Sequence, residues 1–318
     1  MLNKPMRGTN ATSQAELEAL SYPRLYSHKY DGIRVMKQAG KAVTKSLKPL
    51  PNHFTRNWIE SLMPDGIDGE LIVGAPNDEE VYSRTFSGVM TKDGSPDFTL
   101  YVFDLCDRPD MRANERTKTI HDMLQDLPAD VQAHVVVVKK HVVSSPAELQ
   151  MRIDESLSLG YEGGMSQSTD GFYVHSKCSL SAKSQQIVKH KPEDDVEGEI
   201  VELHEAFKNN NEAFTNELGN TARATNAENL APSGKLGSFT VRQLVDGQPT
   251  GELTKVSAGK MKHDEREAVW QRNIRDLTLY PGKIIKFRKM AYGQMANGAA
   301  RHGRFIGWVD PTDLSLPD

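Results

Sequence analysis

Cysteine is nearly absent from this 318-residue sequence: Cys106 and Cys178 are too few for a disulfide framework or a four-cysteine zinc site. Any apolar run approaching the roughly 20 residues that span a bilayer is missing too, which argues against a membrane role. The first ten residues, MLNKPMRGTN, lack the continuous apolar core of a signal peptide. These absences set the expectation of a reducing cytoplasm. No internal repeat or low-complexity tract stands out, which sets repeat architectures aside. What remains, 37% hydrophobic and 26% charged residues, is ordinary for a globular chain long enough for two compact domains or one large one.

The net charge of −4 hides an asymmetry. Between Glu252 and Arg304 twelve Lys and Arg face five acids, so that segment carries +7 and the rest of the chain −11. A basic segment on an acidic protein suits local phosphate binding, although a solvated face has the same composition.

The first 190 or so residues mix strand-like and helix-like stretches. Ser13 and Glu16 have capping-box spacing and open a short helix to about Leu20. Strands are expected over 32–38, 66–73, 98–105 and 186–190, and helices over 52–62, 114–124 and 146–159. The strands do not alternate strictly with long helices, which points away from a doubly wound sheet. From Glu193 the texture changes to short strands, over 196–203, 237–244, 253–257 and 283–290, with one helix over 263–277. That pattern suits a small barrel, of which the five-stranded oligonucleotide-binding (OB) barrel is the known version. Residues 208–235, with seven Asn, read as a long polar loop.

The segment His28-Lys29-Tyr30-Asp31-Gly32-Ile33-Arg34 sets a lysine, an acid, a glycine and an arginine at short fixed spacing before a strand. A lysine amine is a nucleophile only when deprotonated, which a nearby cation or metal promotes by lowering its pKa; Arg34 is placed to supply such a field. A surface loop entering a strand is the plainer alternative. Downstream lie Asp68-Gly69-Glu70-Leu71, Tyr101-Val102-Phe103-Asp104-Leu105, Glu162-Gly163-Gly164-Met165 and Lys189-His190-Lys191. Singly these read as a hairpin turn, a buried strand, a loop after a helix and a strand edge. Lys189 and Lys191, two apart on a strand, share one face.

Taken in order, the five elements resemble the motifs of the covalent nucleotidyltransferases, the superfamily of DNA ligases, RNA ligases and mRNA capping enzymes. Within it the chain looks most like the small bacteriophage-type ATP-dependent DNA ligases. Lys4-Pro5-Met6 and Lys48-Pro49-Leu50-Pro51-Asn52 extend the likeness. The resemblance implies an α+β chain: an ATP-grasp-like nucleotidyltransferase (adenylation) domain over 1–192, followed by an OB-fold domain over 193–318. It implies that Lys29 carries AMP, that Arg34 contacts the nucleotide or nick, and that Phe103 stacks on adenine. Glu70 would contact the ribose or support the metal, Glu162 would act with Mg²⁺, and Lys189 and Lys191 would reach the α-phosphate.

Only 28 residues precede Lys29, which leaves no room for a nicotinamide-recognition domain and implies ATP rather than NAD as donor. Similarity over 216–223, 232–239, 255–259 and 282–287 favours DNA over RNA. By this resemblance the partner is nicked duplex DNA, gripped by Arg223, Lys286, Arg288, Arg301 and Arg304, and the 208–235 loop would order on it. A monomer serving DNA repair, replication and recombination in a bacterial host cytoplasm is the simplest expectation. An RNA ligase or a GTP-using capping-type enzyme is the alternative. One departure stands out: Val309 lies where the family's closing motif has arginine, leaving Arg301 or Arg304 to substitute.

Overall fold

The computed structural model describes residues 2–215, 221–224, 227–245, 247–290 and 302–309, and falls into two compact units, Met1–Pro192 and Glu193–Asp318. The first unit begins with β1 (Thr9–Asn10), α1 (Gln14–Glu18), β2 (Arg24–His28), β3 (Ile33–Gln38), β4 (Lys41–Thr44), α2 (His53–Leu62), β5 (Ile67–Val73) and α3 (Val81–Val89). It continues through β6 (Phe98–Leu105), α4 (Ala113–Gln125), α5 (Ala129–Gln132), β7 (Val135–Val137), β8 (His141–Val143), α6 (Pro146–Ser158), β9 (Gly164–Ser168) and β10 (Ile187–His190).

Helix starts follow local chemistry. Ser13 and Glu16 close the expected capping box, Asn52 accepts the Thr55 N–H at 2.8 Å, and Ser145 accepts that of Glu148 at 3.2 Å ahead of Pro146. The strands assemble into two five-stranded sheets, ordered β1-β10-β9-β2-β8 and β4-β3-β5-β6-β7, with mostly antiparallel neighbours. Strand β6 alternates as a half-covered strand should: Phe98, Leu100 and Val102 are buried while Thr99, Tyr101 and Phe103 are half-buried. Its apolar face joins Val35 and Leu71 in a core with Ile59 of α2 and Ile120 of α4. The other sheet buries Tyr26 and Val188 against Leu17 of α1 and Leu149 and Ile153 of α6. Each sheet thus covers its apolar side with helices, a mixed α+β arrangement as expected.

Several elements escape sequence reasoning. Strand β9, Gly-Met-Ser-Gln-Ser, has little strand propensity, and no strand is expected there from sequence; it is made a strand by pairing with β2 on one side and β10 on the other. The strand expected over 66–73 does form: Asp68-Gly69, which alone reads as a hairpin turn, lies near the start of β5, paired with β3 and β6.

The second unit runs β11 (Glu193–Asn209), β12 (Ala213–Thr215), β13 (Thr221–Arg223), β14 (Leu230–Val245), β15 (Gln248–Ser257), α7 (His263–Arg275), β16 (Ile284–Met290) and β17 (Gly303–Trp308). Five of these strands close a barrel in the order β11-β14-β15-β17-β16. Bulges at three places along β11 bend it enough to pair with β16 at its start and β14 along its remainder. The core holds Phe239, Phe287, Phe305 and Trp308, with Phe239 stacked on Phe305 at 5.7 Å between ring centres.

The expected loop over 208–235 is corrected. Strands β11 and β14 run on into it, from Phe207 opposite Pro232 to Asn209 opposite Leu230, and β12 pairs with β13. Backbone pairing continues there without an apolar pattern because the ladder itself satisfies the N–H and C=O groups. Positions 216–220 of that segment lie outside the described residues. No helix among the described residues is long and apolar enough to cross a membrane.

Phe239 is fully buried and Phe207 is 62% exposed. Phe239→Ala is therefore expected to destabilise the barrel by about 3–5 kcal/mol in urea unfolding, and Phe207→Ala by less than about 0.5 kcal/mol. Equal losses would mean that the barrel core is assigned to the wrong face.

Candidate active site

The segment holding Lys29 leaves the end of β2 in one sheet and enters β3 in the other, so its side chains stand between the two sheets. Gly32 is obligatory at the crossing: a Cβ there would lie 2.1 Å from the Leu71 carbonyl oxygen and 2.6 Å from Ile72 Cδ1. The Lys29 backbone N–H donates to the Gly163 carbonyl at 2.9 Å. Gly163 has φ +136°, and a Cβ would sit 2.1 Å from the His190 carbonyl oxygen, so only glycine lets the Glu162 loop press against β10.

These close approaches converge on one carboxylate. Glu162, only 3% exposed, binds Lys29 Nζ through one oxygen and Lys191 Nζ through the other, the latter at 2.6 Å. Burial works against its charge, yet the two ammonium groups outweigh it and hold the carboxyl below its usual pKa. For Lys29 burial again opposes the charge, but the fields of Glu162, Glu70 and Asp31 together keep the ammonium above its ordinary pKa. Lys189 and Lys191 both fall below theirs, first through burial; for Lys189 the neighbouring Lys29 and Lys191 add to the shift.

Arg34 does not act on Lys29 as expected. Its Nε donates to Asp68 Oδ1 at 2.8 Å, its Nη2 to Asp68 Oδ2, and its Nη1 to the Met6 carbonyl at 2.9 Å, while its guanidinium lies 5.2 Å from the Phe103 ring centre. Engaged by Asp68 and the Met6 carbonyl, it leaves Lys29 among carboxylates, which keep the amine protonated instead of activating it. Glu70, opposite Arg34 in the β3–β5 ladder, is pushed from 4.5 up to about 7 because burial outweighs the pull of Lys29 and Arg34.

A cavity of about 360 Å³ opens beside Lys29, lined among others by Arg34, Glu70, Phe103, Met165 and Lys189. The β5–β6 ladder skips Phe103, pairing Asp68 with Asp104 and Gly69 with Val102, and such a bulge re-aims its side chain. Sequence-predicted Lys29, Arg34, Glu70, Phe103, Glu162, Lys189 and Lys191 are thus gathered in one place. Asp68 and Asp31 lay inside the quoted motifs without being singled out; Asp68 also accepts the Tyr173 hydroxyl at 2.6 Å. Lys140 was missed: it lines the cavity and bonds Gln167 Oε1 and Thr117 Oγ1, each at 3.1 Å, and no local pattern marks it.

No family model and no curated protein matches the sequence. Solved structures do match. The chain aligns over 97% of its length with 100% of a Chlorella virus DNA ligase-adenylate, at 24% identity and a TM-score of 0.53. It likewise aligns over 97% with 100% of a Lig E DNA ligase, at 19% identity and a TM-score of 0.66. The fold is shared with DNA ligases. An adenylation-type domain followed by an OB-fold barrel, the expected fold class, is therefore the architecture of this chain.

Of the barrel residues expected to meet nucleic acid, Arg288 and Arg304 stand opposite one another in the β16–β17 ladder and share Glu193, while Arg223 lies on the separate strand β13. Lys286 and Arg288 lie on β16 and Arg304 on β17. Arg288 is bidentate to Asp195, with contacts at 2.5 and 2.8 Å, and Arg304 binds Glu193 at 2.7 Å. Arg223, on β13, donates to the Asn211 carbonyl. Val309 is 43% exposed, and its N–H donates to the Ile284 carbonyl at 3.1 Å. Arg301, Asp310 and Pro311 lie outside the described residues.

Glu70 has a chemical consequence that can be measured in the bare protein. Its carboxyl holds a proton in the folded state at pH values where the unfolded chain has lost it, so it makes stability fall as pH rises from about 4.5 to about 7. Glu70→Gln is expected to flatten that fall, read as urea midpoints at about pH 5 and about pH 8; the same slope in both proteins would rule out the buried carboxyl as its source.

Proposed function

We propose that the chain is an ATP-dependent DNA ligase that seals nicks in duplex DNA through AMP carried on Lys29. The observation that carries this reading is the shared Glu162 carboxylate, which fixes the amines of Lys29 and Lys191 beside a cavity with Phe103 on its wall. The ligase fold of both units and the order of the five motifs support it.

In the first step the Lys29 amine attacks the α-phosphate of ATP, a nitrogen–phosphorus bond forms, and pyrophosphate leaves. Lys189 and Lys191, held near Lys29, meet the negative charge on the phosphate oxygens. Lys29 is kept protonated by carboxylates, so its proton would pass to Glu162, the carboxylate it touches, as the amine attacks. Phe103 offers a flat apolar face for the base. In the second step the AMP passes to the 5′-phosphate of a nick; in the third the 3′-hydroxyl attacks that phosphate and AMP leaves.

Among the described residues no three His, Cys, Asp or Glu side chains gather as a metal-binding group. Glu70 and Glu162, both beside Lys29, suit a hard cation that takes few protein oxygens and completes its shell with phosphate and water. They are the residues that would hold Mg²⁺, which would spread the charge of the reacting phosphoryl group.

The chain acts as a monomer on nicked duplex. The half-exposed pairs of Arg288 with Asp195 and Arg304 with Glu193 contribute little to stability, so these arginines can turn to backbone phosphates at small cost. Binding through phosphates suits a substrate whose break falls at any sequence.

Incubation with ATP radiolabelled at the α-phosphate is expected to label the wild-type chain on a denaturing gel, and Lys29→Ala to reduce the label to background. Chasing with nicked DNA should release the label and seal the strand. Labelling by GTP but not ATP, or sealing of nicked RNA alone, would turn the reading towards a capping-type enzyme or an RNA ligase.

A further inference from the structure

Both neighbours of Lys29 in the sequence are aromatic, and both meet the same partner. His28, at the end of β2, stacks on Tyr161 with ring centres 4.2 Å apart and planes within 4°. Tyr30 meets the edge of Tyr161 at 5.6 Å and stacks on Tyr101 of β6 at 4.5 Å. All four rings are half-buried. Tyr161 immediately precedes Glu162, and Tyr101 stands opposite Glu70 in the β5–β6 ladder. One continuous row of rings therefore starts in the sheet of β2, passes over the crossing segment, and ends in the sheet that carries Glu70.

We propose that Tyr161 is a positioning residue, the centre of a four-ring clamp that holds the Lys29 segment across the gap between the sheets and so aims its amine between Glu162 and Glu70. The inference rests on the nucleotidyl-transfer reading for its catalytic consequence but not for its geometry. A lysine side chain has many rotamers and reaches its target from whatever place its backbone is held. The hydrogen bond from the Lys29 N–H to the Gly163 carbonyl and the rings on either side both restrain that backbone, beyond the pairing of His28 with Gly164 in the β2–β9 ladder. His28 is itself anchored, its Nδ1 lying 2.8 Å from Ser156 Oγ on α6. Removing the central ring cuts the row into unconnected ends. Misplacement of a reacting group by about an ångström costs on the order of 100-fold in rate, which sets the scale of the effect.

The test is single-turnover labelling of the full chain over a range of ATP concentrations. Tyr161→Ala should lower the limiting rate about 10- to 100-fold with the half-saturating ATP concentration little changed, because Tyr161 itself does not line the cavity. Tyr161→Phe keeps the ring and should label at close to the wild-type rate. If Tyr161→Ala does not fold, Tyr161→Leu, which fills the space without a flat ring, takes its place. Wild-type rates in the truncated variant, a loss confined to ATP binding, or a Tyr161→Phe variant as slow as the truncation would each overturn the proposal. Hydrogen exchange of the Lys29 amide, without nucleotide, separates this from the ligase reading. Faster exchange in Tyr161→Ala than in Tyr161→Phe supports the clamp even if the wild-type chain never labels, and equal exchange overturns it.

Discussion

One buried carboxylate shared by two ammonium groups organises this protein. Glu162 could not stay ionised at 3% exposure without Lys29 and Lys191, and those amines would repel one another without it. The three residues come from three separate segments, so the interaction exists only when β2, β9 and β10 are paired in register. Burying a charge in this way is a poor source of stability, since a packed apolar trio would serve as well. Its value lies in holding reactive groups that can be released when a ligand offers the carboxylate or the amines something better.

The same logic repeats on the facing sheet. Asp68 is satisfied by Arg34 and Tyr173, and Asp104 by Arg116 at 2.6 Å and Gln167 at 2.8 Å. Each acid is matched before any ligand arrives, so the inner faces of both sheets can be polar without collapsing onto one another. The outer faces carry the apolar load, against α2 and α4 on one side and α1 and α6 on the other. A gap lined by paired charges and opened by glycines that admit no side chain is what leaves a cavity of about 360 Å³ beside the Lys29 amine.

In the barrel, aromatic packing does the structural work and charge stays outside. Phe239, Phe305 and Trp308 meet ring to ring, while Arg288 and Arg304 lean over acids at the start of β11. The net basic charge counted along the sequence is thus partly neutralised within the fold.

The sequence by itself determined which side chains meet at the candidate site: Lys29, Glu70, Phe103, Glu162, Lys189 and Lys191 all stand in short motifs. It also determined most helices, because caps such as Ser13, Asn52 and Ser145 act over three or four residues. What it did not determine was anything set by partners distant in the chain. Polar β9 became a strand through its neighbours, and the polar 208–235 segment was drawn into two barrel strands and a pair of short ones. Arg34 looked like the group that would activate Lys29, yet Asp68 claimed it from 34 positions away, and the lysine was left to the carboxylates. Electrostatic effect depends on distance through space and on burial, and neither is written in the spacing of residues along a chain.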